Sequence, residues 1–163
     1  GIPVVEDCAQ SLGAFAGDVR AGTVGDIATT SFYPTKNLGA VGDGGAVMTS
    51  NRDLADAVRQ LRQYGWKSKY RTTVVGGRNS RLDELQAAVL RVKLPYLDKW
   101  NDRRRELHRL YESAAGGNIR CINAAGPGYS GHLAVFDVAD PRFPFPSPSA
   151  PPSESSLFHC SQI

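Results

Sequence analysis

The stretch IATTSFYPTKNLGAVGDGGAVMT, residues 27–49, holds two predicted strands joined by a glycine-rich loop. Ile27–Tyr33 is rich in β-branched and aromatic residues, and Ala46–Thr49 is a second short apolar run. Between them, Gly42–Gly45 contains an Asp-Gly step, which suits a tight turn that needs positive φ. Upstream, Ile2–Val5 is a continuous apolar run, typical of a buried parallel strand. The beginning of the chain is therefore predicted to form a sheet.

Residues 51–113 are helical in character. Asn51 is a predicted N-cap of a first helix, which Gly65 closes. A second, longer helix is predicted to begin near Arg81, with a kink or break at Pro95. Amphipathic helices are thus predicted to follow the strands. The apolar stripe of the long helix comprises Leu82, Leu85, Val89, Val92, Tyr96 and Trp100, and Leu107, Leu110 and Tyr111 continue it.

The composition is that of an ordinary soluble globular protein, since 41% of the 163 residues are hydrophobic and 21% are charged. No stretch approaches the roughly 20 consecutive apolar residues of a membrane span, and no secretory signal is visible. The three histidines and the three cysteines (Cys8, Cys121 and Cys160) lack the spacing of metal ligands or of a disulfide framework. We therefore expect reduced thiols, no metal site, no membrane partner and a cytoplasmic location.

The net charge of +3 arises in one segment. Residues 51–113 hold 15 of the 19 Lys and Arg residues but only 8 of the 16 Asp and Glu residues. The run Arg103–Arg105 could face nucleic-acid phosphates, so a DNA-binding regulator is an alternative function. However, Asp98, Asp102 and Glu106 are interleaved with the arginines, as on a solvated helix face, and no helix-turn-helix or zinc-finger spacing occurs. We therefore expect no nucleic-acid partner.

Three residues near the ends of predicted strands could carry chemistry. Asp7 follows the first strand, where a carboxylate could hold a positive charge on a cofactor or simply cap the next turn. Lys36 follows the second strand in a nearly uncharged loop. Its amine is either a desolvated nucleophile for Schiff-base chemistry or a side chain that reaches solvent. Ser31 could donate to a phosphate or serve as an ordinary strand hydroxyl.

Three motifs around these residues resemble those of a known family. VEDCAQSLG, residues 5–13, is similar to the E-D-x-A-Q-x-x-G segment of the DegT/DnrJ/EryC1/StrS sugar aminotransferases. SFYPTKNLG, residues 31–39, followed by GDGG, residues 42–45, resembles the lysine segment of that family. NSRLDELQAA, residues 79–88, resembles the start of its long helix. The motifs occur in the family's order, and the resemblance covers about residues 2–115.

The resemblance implies an α/β fold and a PLP-dependent enzyme, with this chain as part of an aspartate-aminotransferase-type (fold type I) large domain. It implies that Lys36 forms the internal aldimine with PLP, and that Asp7 pairs with the pyridinium nitrogen so that the ring can accept electrons. Gln10 would lie beside the ring, and Ser31 would bind the cofactor phosphate. Asn79 would reach the phosphate of a neighbouring subunit, which implies a homodimer. Once released, Lys36 would act as the acid and base of proton transfer.

The lysine also distinguishes between reactions, because the related 3-dehydratases of deoxysugar biosynthesis carry histidine at this position. The resemblance therefore implies transfer of an amino group, usually from glutamate, to a nucleotide-linked 3-keto- or 4-keto-6-deoxysugar, typically a dTDP-sugar. Such reactions serve the synthesis of antibiotic or surface sugars.

The composition changes near residue 117. Residues 1–117 resemble a partial PLP-binding large domain with its long helix, and residues 118–163 form a divergent Pro/Ser-rich tail that we expect to be disordered, above all beyond Asp140. Within the tail, His132–Val138 is a candidate strand. Because the family's upstream segment and small domain are not recognisable, we expect a fragment whose end is read in a shifted frame. An inactive truncated pseudo-enzyme of the same family is therefore an alternative.

Overall fold

The computed structural model describes residues 1–114, 119–123, 126–138 and 158–160. None of the helices in these ranges is both long enough and apolar enough to cross a membrane. The elements in chain order are β1 (Val5–Asp7), β2 (Phe15–Ala16), β3 (Val19–Arg20), β4 (Ile27–Ser31), β5 (Gly45–Met48), α1 (Arg52–Leu61), β6 (Trp66–Ser68), β7 (Arg71–Thr72), α2 (Glu84–Lys93), a 3-10 turn (Leu94–Tyr96), α3 (Leu97–Ala114), β8 (Ile119–Cys121), β9 (Ala134–Val138) and β10 (Phe158–Cys160).

A three-stranded sheet of order β1-β4-β5 organises the first part of the chain. β1 runs parallel to β4, with Asp7 opposite Thr29. β5 runs antiparallel to β4, with Gly45 opposite Ser31. The central strand is the best covered, and its Ala28 is only 1% exposed. This mixed sheet, followed by helices, confirms the predicted α/β class.

The first strand differs from its prediction, because it begins at Val5 rather than at Ile2. Val4 is held just outside the ladder: its N–H donates to Asp26 Oδ2 at 2.8 Å, and its carbonyl accepts from the Asp26 N–H at 3.0 Å. Ile2 is 91% and Val5 66% exposed, so the expected burial of this run is wrong for the described residues. These side chains are exposed because β1 is an edge strand of the sheet.

The glycine-rich turn before β5 was expected to need positive φ, and this expectation is wrong. None of residues 42–45, all of which the structure describes, lies in the left-handed region. Glycine is required there for space instead: a Cβ at Gly45 would lie 2.7 Å from the Thr30 carbonyl oxygen, and one at Gly44 would lie 3.0 Å from Leu82 Cδ1. The absent side chains therefore let the loop approach β4 and the segment before α2.

The predicted start of the first helix is confirmed. Asn51 Oδ1 accepts the N–H groups of Asp53 and Leu54 at 2.9 and 3.2 Å, as an N-cap does. Beyond the end of α1, Gly65 has a φ of +69° and donates its N–H to the Gln60 carbonyl at 2.8 Å. A glycine in the left-handed region thus follows the helix, as predicted.

The long helical segment is divided as its proline predicts. α2 begins at Glu84, three residues later than expected, because Asp83 caps it by accepting the Gln86 N–H at 2.9 Å. The 3-10 turn at Leu94–Tyr96 contains Pro95 and separates α2 from α3.

The predicted apolar stripe of the helices, in contrast, is mostly exposed. Leu85, Val92 and Tyr96 are 71%, 70% and 52% exposed, whereas Leu90 and Leu97 are each 7% exposed. These two leucines are seven residues apart and project from the side that faces the loop after Lys36. The core consists of Leu38, Ala40, Leu90 and Leu97, with Leu12, Phe32 and Leu82 packed against it.

The segment after α3 is folded where the structure describes it. β8 and β10 both pair antiparallel with β9, which confirms a strand within His132–Val138. The segment lies against α3, where Arg105 Nη1 donates to the Tyr129 carbonyl at 2.7 Å and the His108 ring stacks on Phe136.

The expected disorder is therefore wrong for residues 119–123, 126–138 and 158–160, because main-chain pairing and contacts with α3 order them. The rest of the stretch beyond Asp140, for which disorder was also expected, lies outside the described residues.

Glu6, in the middle of β1, ties that strand to the loop before β4. Its carboxylate accepts the N–H groups of Gly22, Val24 and Gly25 at 2.9, 2.7 and 2.6 Å. These bonds, led by that from Gly25, lower the pKa of Glu6 below its ordinary value because they stabilise the charged form.

Replacing Glu6 with glutamine should lower Tm by a few degrees at neutral pH, because an amide NH2 would face backbone N–H donors. The contribution of the carboxylate is present above the pKa of the unfolded chain and is lost as the pH falls through the lower folded-state pKa. The deficit of E6Q should therefore shrink between neutral pH and about pH 3 in thermal melts. Glu106→Gln, which removes an exposed ion pair to Arg103, is the control. An equal E6Q deficit at both pH values would contradict the assignment.

Candidate active site

Two predicted site residues lie at the carboxyl edge of the sheet. Asp7 is the last residue of β1 and Ser31 the last residue of β4. Because these adjacent strands are parallel, their carboxyl ends meet at one edge, where ligands of open α/β sheets bind. The register pairs Asp7 with Thr29, two residues before Ser31. The sheet therefore brings a carboxylate and a hydroxyl to the same edge.

Asp7 has a local structural role at this edge. Its side chain is exposed, and Oδ1 accepts the Ala9 N–H at 2.9 Å. The capping role that the sequence left open is thus present. That bond occupies one of the two carboxylate oxygens and leaves the negative charge in place, so the cap and a charge role are compatible.

Lys36 lies in a compact loop directly after β4. Its N–H donates to the Tyr33 carbonyl at 2.9 Å, and Ser31 Oγ accepts the Tyr33 N–H at 3.2 Å. The loop closes where the Ala40 N–H donates to the Phe32 carbonyl at 2.8 Å. Lys36 is half-buried within it. The backbone that carries the lysine is therefore held at both ends by hydrogen bonds.

Gly39 makes the same loop sensitive to any added side chain. A Cβ at this position would lie 2.3 Å from the carbonyl oxygen of Pro34, a backbone atom that cannot move aside cheaply. The Gly39 carbonyl also accepts from Lys93 Nζ at 2.6 Å, which attaches the loop to α2. The loop conformation thus depends on a glycine here for space and not for φ.

The other two predicted residues belong to different exposed segments of the chain. Gln10 is exposed and lies in the turn that follows Asp7. Asn79 is exposed as well, its Oδ1 accepts from Arg81 Nε at 3.1 Å, and its backbone forms an isolated bridge with Gln63. None of the hydrogen bonds among the described residues joins Asn79 to the sheet edge.

A cluster that sequence spacing did not indicate lies between α3 and β8, where His108 is buried, Cys121 is half-buried and Glu112 is exposed. Cys121 Sγ is 3.2 Å from His108 Nε2, whereas the Glu112 carboxylate approaches the other ring nitrogen, Nδ1, at 3.9 Å. Burial raises the pKa of the Cys121 thiol, which also donates to the Asn123 carbonyl at 3.2 Å. Atoms of the three side chains lie within 4.8 Å of one another and are of types that can bind a metal ion. Only the i, i+4 spacing of His108 and Glu112 hints at the cluster in the sequence.

The arginine run of α3 does not present one shared basic face. Arg105 is 9% exposed and is paired with Asp102, Arg104 is half-buried, and Arg103 forms an ion pair with Glu106 at 2.9 Å. These contacts use the arginines within the chain, so they do not support the DNA-binding alternative.

Known structures with this fold define a class of enzyme. S. venezuelae DesV, solved in complex with a ketimine intermediate, aligns with a TM-score of 0.79 and 44% identity over 88% of this chain and 38% of the DesV chain. The fold is part of the large domain of the PLP-dependent fold type I aminotransferases.

The particular family follows from the sequence comparisons. The profile of the DegT/DnrJ/EryC1/StrS aminotransferase family matches residues 1–120, and the chain belongs to this family, whose cofactor is PLP.

Two relatives show how much of such a protein this chain represents. Erythromycin biosynthesis sensory transduction protein EryC1 of Saccharopolyspora erythraea is 55% identical over 113 residues, 69% of this chain and 31% of EryC1. dTDP-3-amino-3,4,6-trideoxy-alpha-D-glucose transaminase of Streptomyces venezuelae is 50% identical over 117 residues, 72% of this chain and 31% of that enzyme. The chain thus spans about a third of the length of these curated relatives.

The groups at the sheet edge fit PLP in their chemistry. The carboxylate of Asp7, at the end of β1, suits the pyridinium nitrogen, and the hydroxyl of Ser31, at the end of β4, suits the phosphate. The amine of Lys36, in the loop after β4, suits the aldehyde. All three groups belong to β1, β4 or the loop that leaves β4.

Proposed function

We propose that the protein, at its full natural length, transfers an amino group from glutamate to a nucleotide-linked keto-6-deoxysugar with PLP as cofactor. The observation that carries the proposal is the parallel register of β1 and β4, because it brings Asp7 and Ser31 to the edge from which the Lys36 loop begins. Membership of an aminotransferase family supports the reaction type. The name of the S. venezuelae relative, a dTDP-amino-sugar transaminase, supports a sugar nucleotide as substrate.

Each residue has a separate task in this proposal. Lys36 holds PLP through its ε-amino group, Asp7 places a negative charge against the pyridinium nitrogen, and Ser31 donates to the phosphate. Gln10, in the turn after Asp7, orients the ring. When bound, PLP supplies an electron sink for the carbon that gains or loses the amino group.

Proton transfer is assigned to the lysine once its amine is free. A half-buried amine in a backbone-braced loop can take a proton at Nζ and return it to a nearby carbon with little reorganisation.

Asn79 is assigned to a second copy of the chain. It lies outside the sheet edge, on the exposed segment between α1 and α2. From there we propose that its side chain donates to the cofactor phosphate of the neighbouring subunit, so that the active protein is a homodimer of the cytoplasm.

The test is transamination by the full-length natural protein. Beyond one turnover per active site, it should convert glutamate to 2-oxoglutarate only when a keto-sugar nucleotide is present, and a panel of dTDP- and UDP-linked 3-keto and 4-keto sugars should reveal the acceptor. Mass spectrometry should show the amino sugar in equal amount. Failure with every acceptor, despite bound PLP, would support the pseudo-enzyme, and release of water without amination would indicate a dehydratase.

A further inference from the structure

A buried network of neutral side chains holds the residue next to Lys36. Asn37 is 7% exposed, and Asn101 of α3 and Ser130 are each 1% exposed. Asn37 Nδ2 donates to Asn101 Oδ1 and to the Ser130 carbonyl, at 2.7 Å in both cases. Asn37 Oδ1 lies 2.8 Å from His132 Nδ1, which fits the tautomer that donates from that nitrogen. Both polar atoms of this buried amide are therefore satisfied.

The network continues to the turn after Asp7. Asn101 Nδ2 donates to the Leu12 carbonyl at 3.1 Å, and Ser130 Oγ donates to the Gln10 carbonyl at 2.9 Å. The same two residues thus hold the segment around Asn37 on one side and the segment around Gln10 on the other. The network adds to the strand ladder and to the packing of Leu12 and Leu38 against Leu97 of α3 in holding the two loops together.

The network is demanding in its geometry. A buried amide or carbonyl left without a partner destabilises the fold, so the network favours the arrangement of the two loops in which all of its groups are paired. The bonds end on main-chain carbonyls and on Asn37 itself, and these atoms belong to segments that carry proposed site residues.

We propose that Asn37 and Asn101 are positioning residues that fix Lys36 relative to Asp7 and Gln10. The proposal rests on the proposed function of Lys36. Asn101 acts indirectly, because α3 contributes no group to the sheet edge. Instead it anchors the loop after Asp7 and the loop that carries Lys36, which both contribute groups there. A displacement of about 1 Å between reacting groups can reduce the rate of catalysis about 100-fold. The loss of this anchor should therefore lower kcat.

The test compares Asn101→Ala with Asn123→Ala in the full-length protein. Asn123 is the control, because its amide, like that of Asn101, is hydrogen-bonded through both polar atoms, in this case to the Leu133 carbonyl and the Val135 N–H, away from both loops. We expect N101A to lower kcat by about 10- to 100-fold with little change in KM for the sugar, and N123A to lower kcat less than about threefold at the same loss of stability. If the two variants lose kcat equally, the positioning role is overturned.

A second measurement does not depend on activity. Hydrogen exchange on the cofactor-free protein should become faster in residues 8–14 and 36–41 of N101A but not of N123A. Unchanged exchange in both segments would also overturn the proposal. Should N101A fail to fold, Ser130→Ala, which removes only the bond to the Gln10 carbonyl, replaces it in the same comparison, with residues 8–14 as the exchange readout.

The outcome separates this inference from the proposed function. An active Lys36→Ala variant would refute the function of the lysine. An inactive Lys36→Ala variant together with an unimpaired N101A variant would refute only the positioning role.

Discussion

Lys36→Ala should abolish the transfer of amino groups, with a fall in kcat of at least about 10,000-fold, since the variant loses both covalent attachment of PLP and the acid–base amine. The attachment itself can be measured. Borohydride reduction of the loaded wild-type protein should add a pyridoxyl group to the peptide that contains Lys36, and the variant should carry no label there. The visible absorption band of the bound cofactor should change in parallel.

Two further substitutions isolate the chemistry of that amine. Lys36→Arg keeps the positive charge but cannot attach the aldehyde, so it should be as inactive as Lys36→Ala. Lys99→Ala removes an exposed lysine of α3 and should retain wild-type activity. Borohydride labelling of a different lysine, or appreciable turnover by Lys36→Ala, would show that position 36 does not hold the cofactor.

Asp7→Asn should lower kcat by about 100- to 1000-fold while leaving Tm nearly unchanged, because it removes a charge and retains a cap. The Asn Oδ1 can still accept the Ala9 N–H that Asp7 Oδ1 accepts at 2.9 Å. The variant loses only the negative charge that would keep a pyridinium nitrogen protonated. Steady-state kinetics and a thermal melt of the same preparation provide both measurements.

This substitution decides between the two roles of Asp7 that the sequence left open. Asp7→Ala should lose the cap as well, at a cost of about 0.5–2 kcal/mol in stability. Asp26→Asn is a matched control, because Asp26 also accepts a backbone N–H, that of Val4, at 2.8 Å, but at the opposite end of the sheet. If D7N retained wild-type kcat, Asp7 would be a turn cap and nothing more.

Local features of the sequence predicted those parts of the fold that neighbouring residues decide. Asn51 marks the first helix because its short amide can reach the free N–H groups at a helix start. Pro95 breaks the long helix because it lacks an N–H and clashes with the preceding turn. The β-branched run of β4 and the strand within His132–Val138 follow the same logic.

Predictions about which side is buried were less successful. The stripe of Leu85, Val92 and Tyr96 has helical periodicity, yet these side chains are exposed, while α3 buries Asn101 and His108. Periodicity identifies an apolar face, but which face the rest of the chain covers depends on distant segments. The buried face of α3 is polar because main-chain carbonyls from the turn at residue 12 and from Tyr129 need donors there.

For the candidate site, the sequence alone predicted the chemistry: three motifs in the family's order contain a lysine, an acid and a hydroxyl whose types suit one cofactor. It also placed the acid and the hydroxyl at strand ends, since strands are local. Only the tertiary structure decided that β1 and β4 are parallel neighbours, and that Asn37, Asn101 and Ser130 join loops up to 120 residues apart. The physical reason is that a hydrogen bond between remote groups forms only after the intervening chain has packed, and no short-range pattern records which distant carbonyl will need a donor.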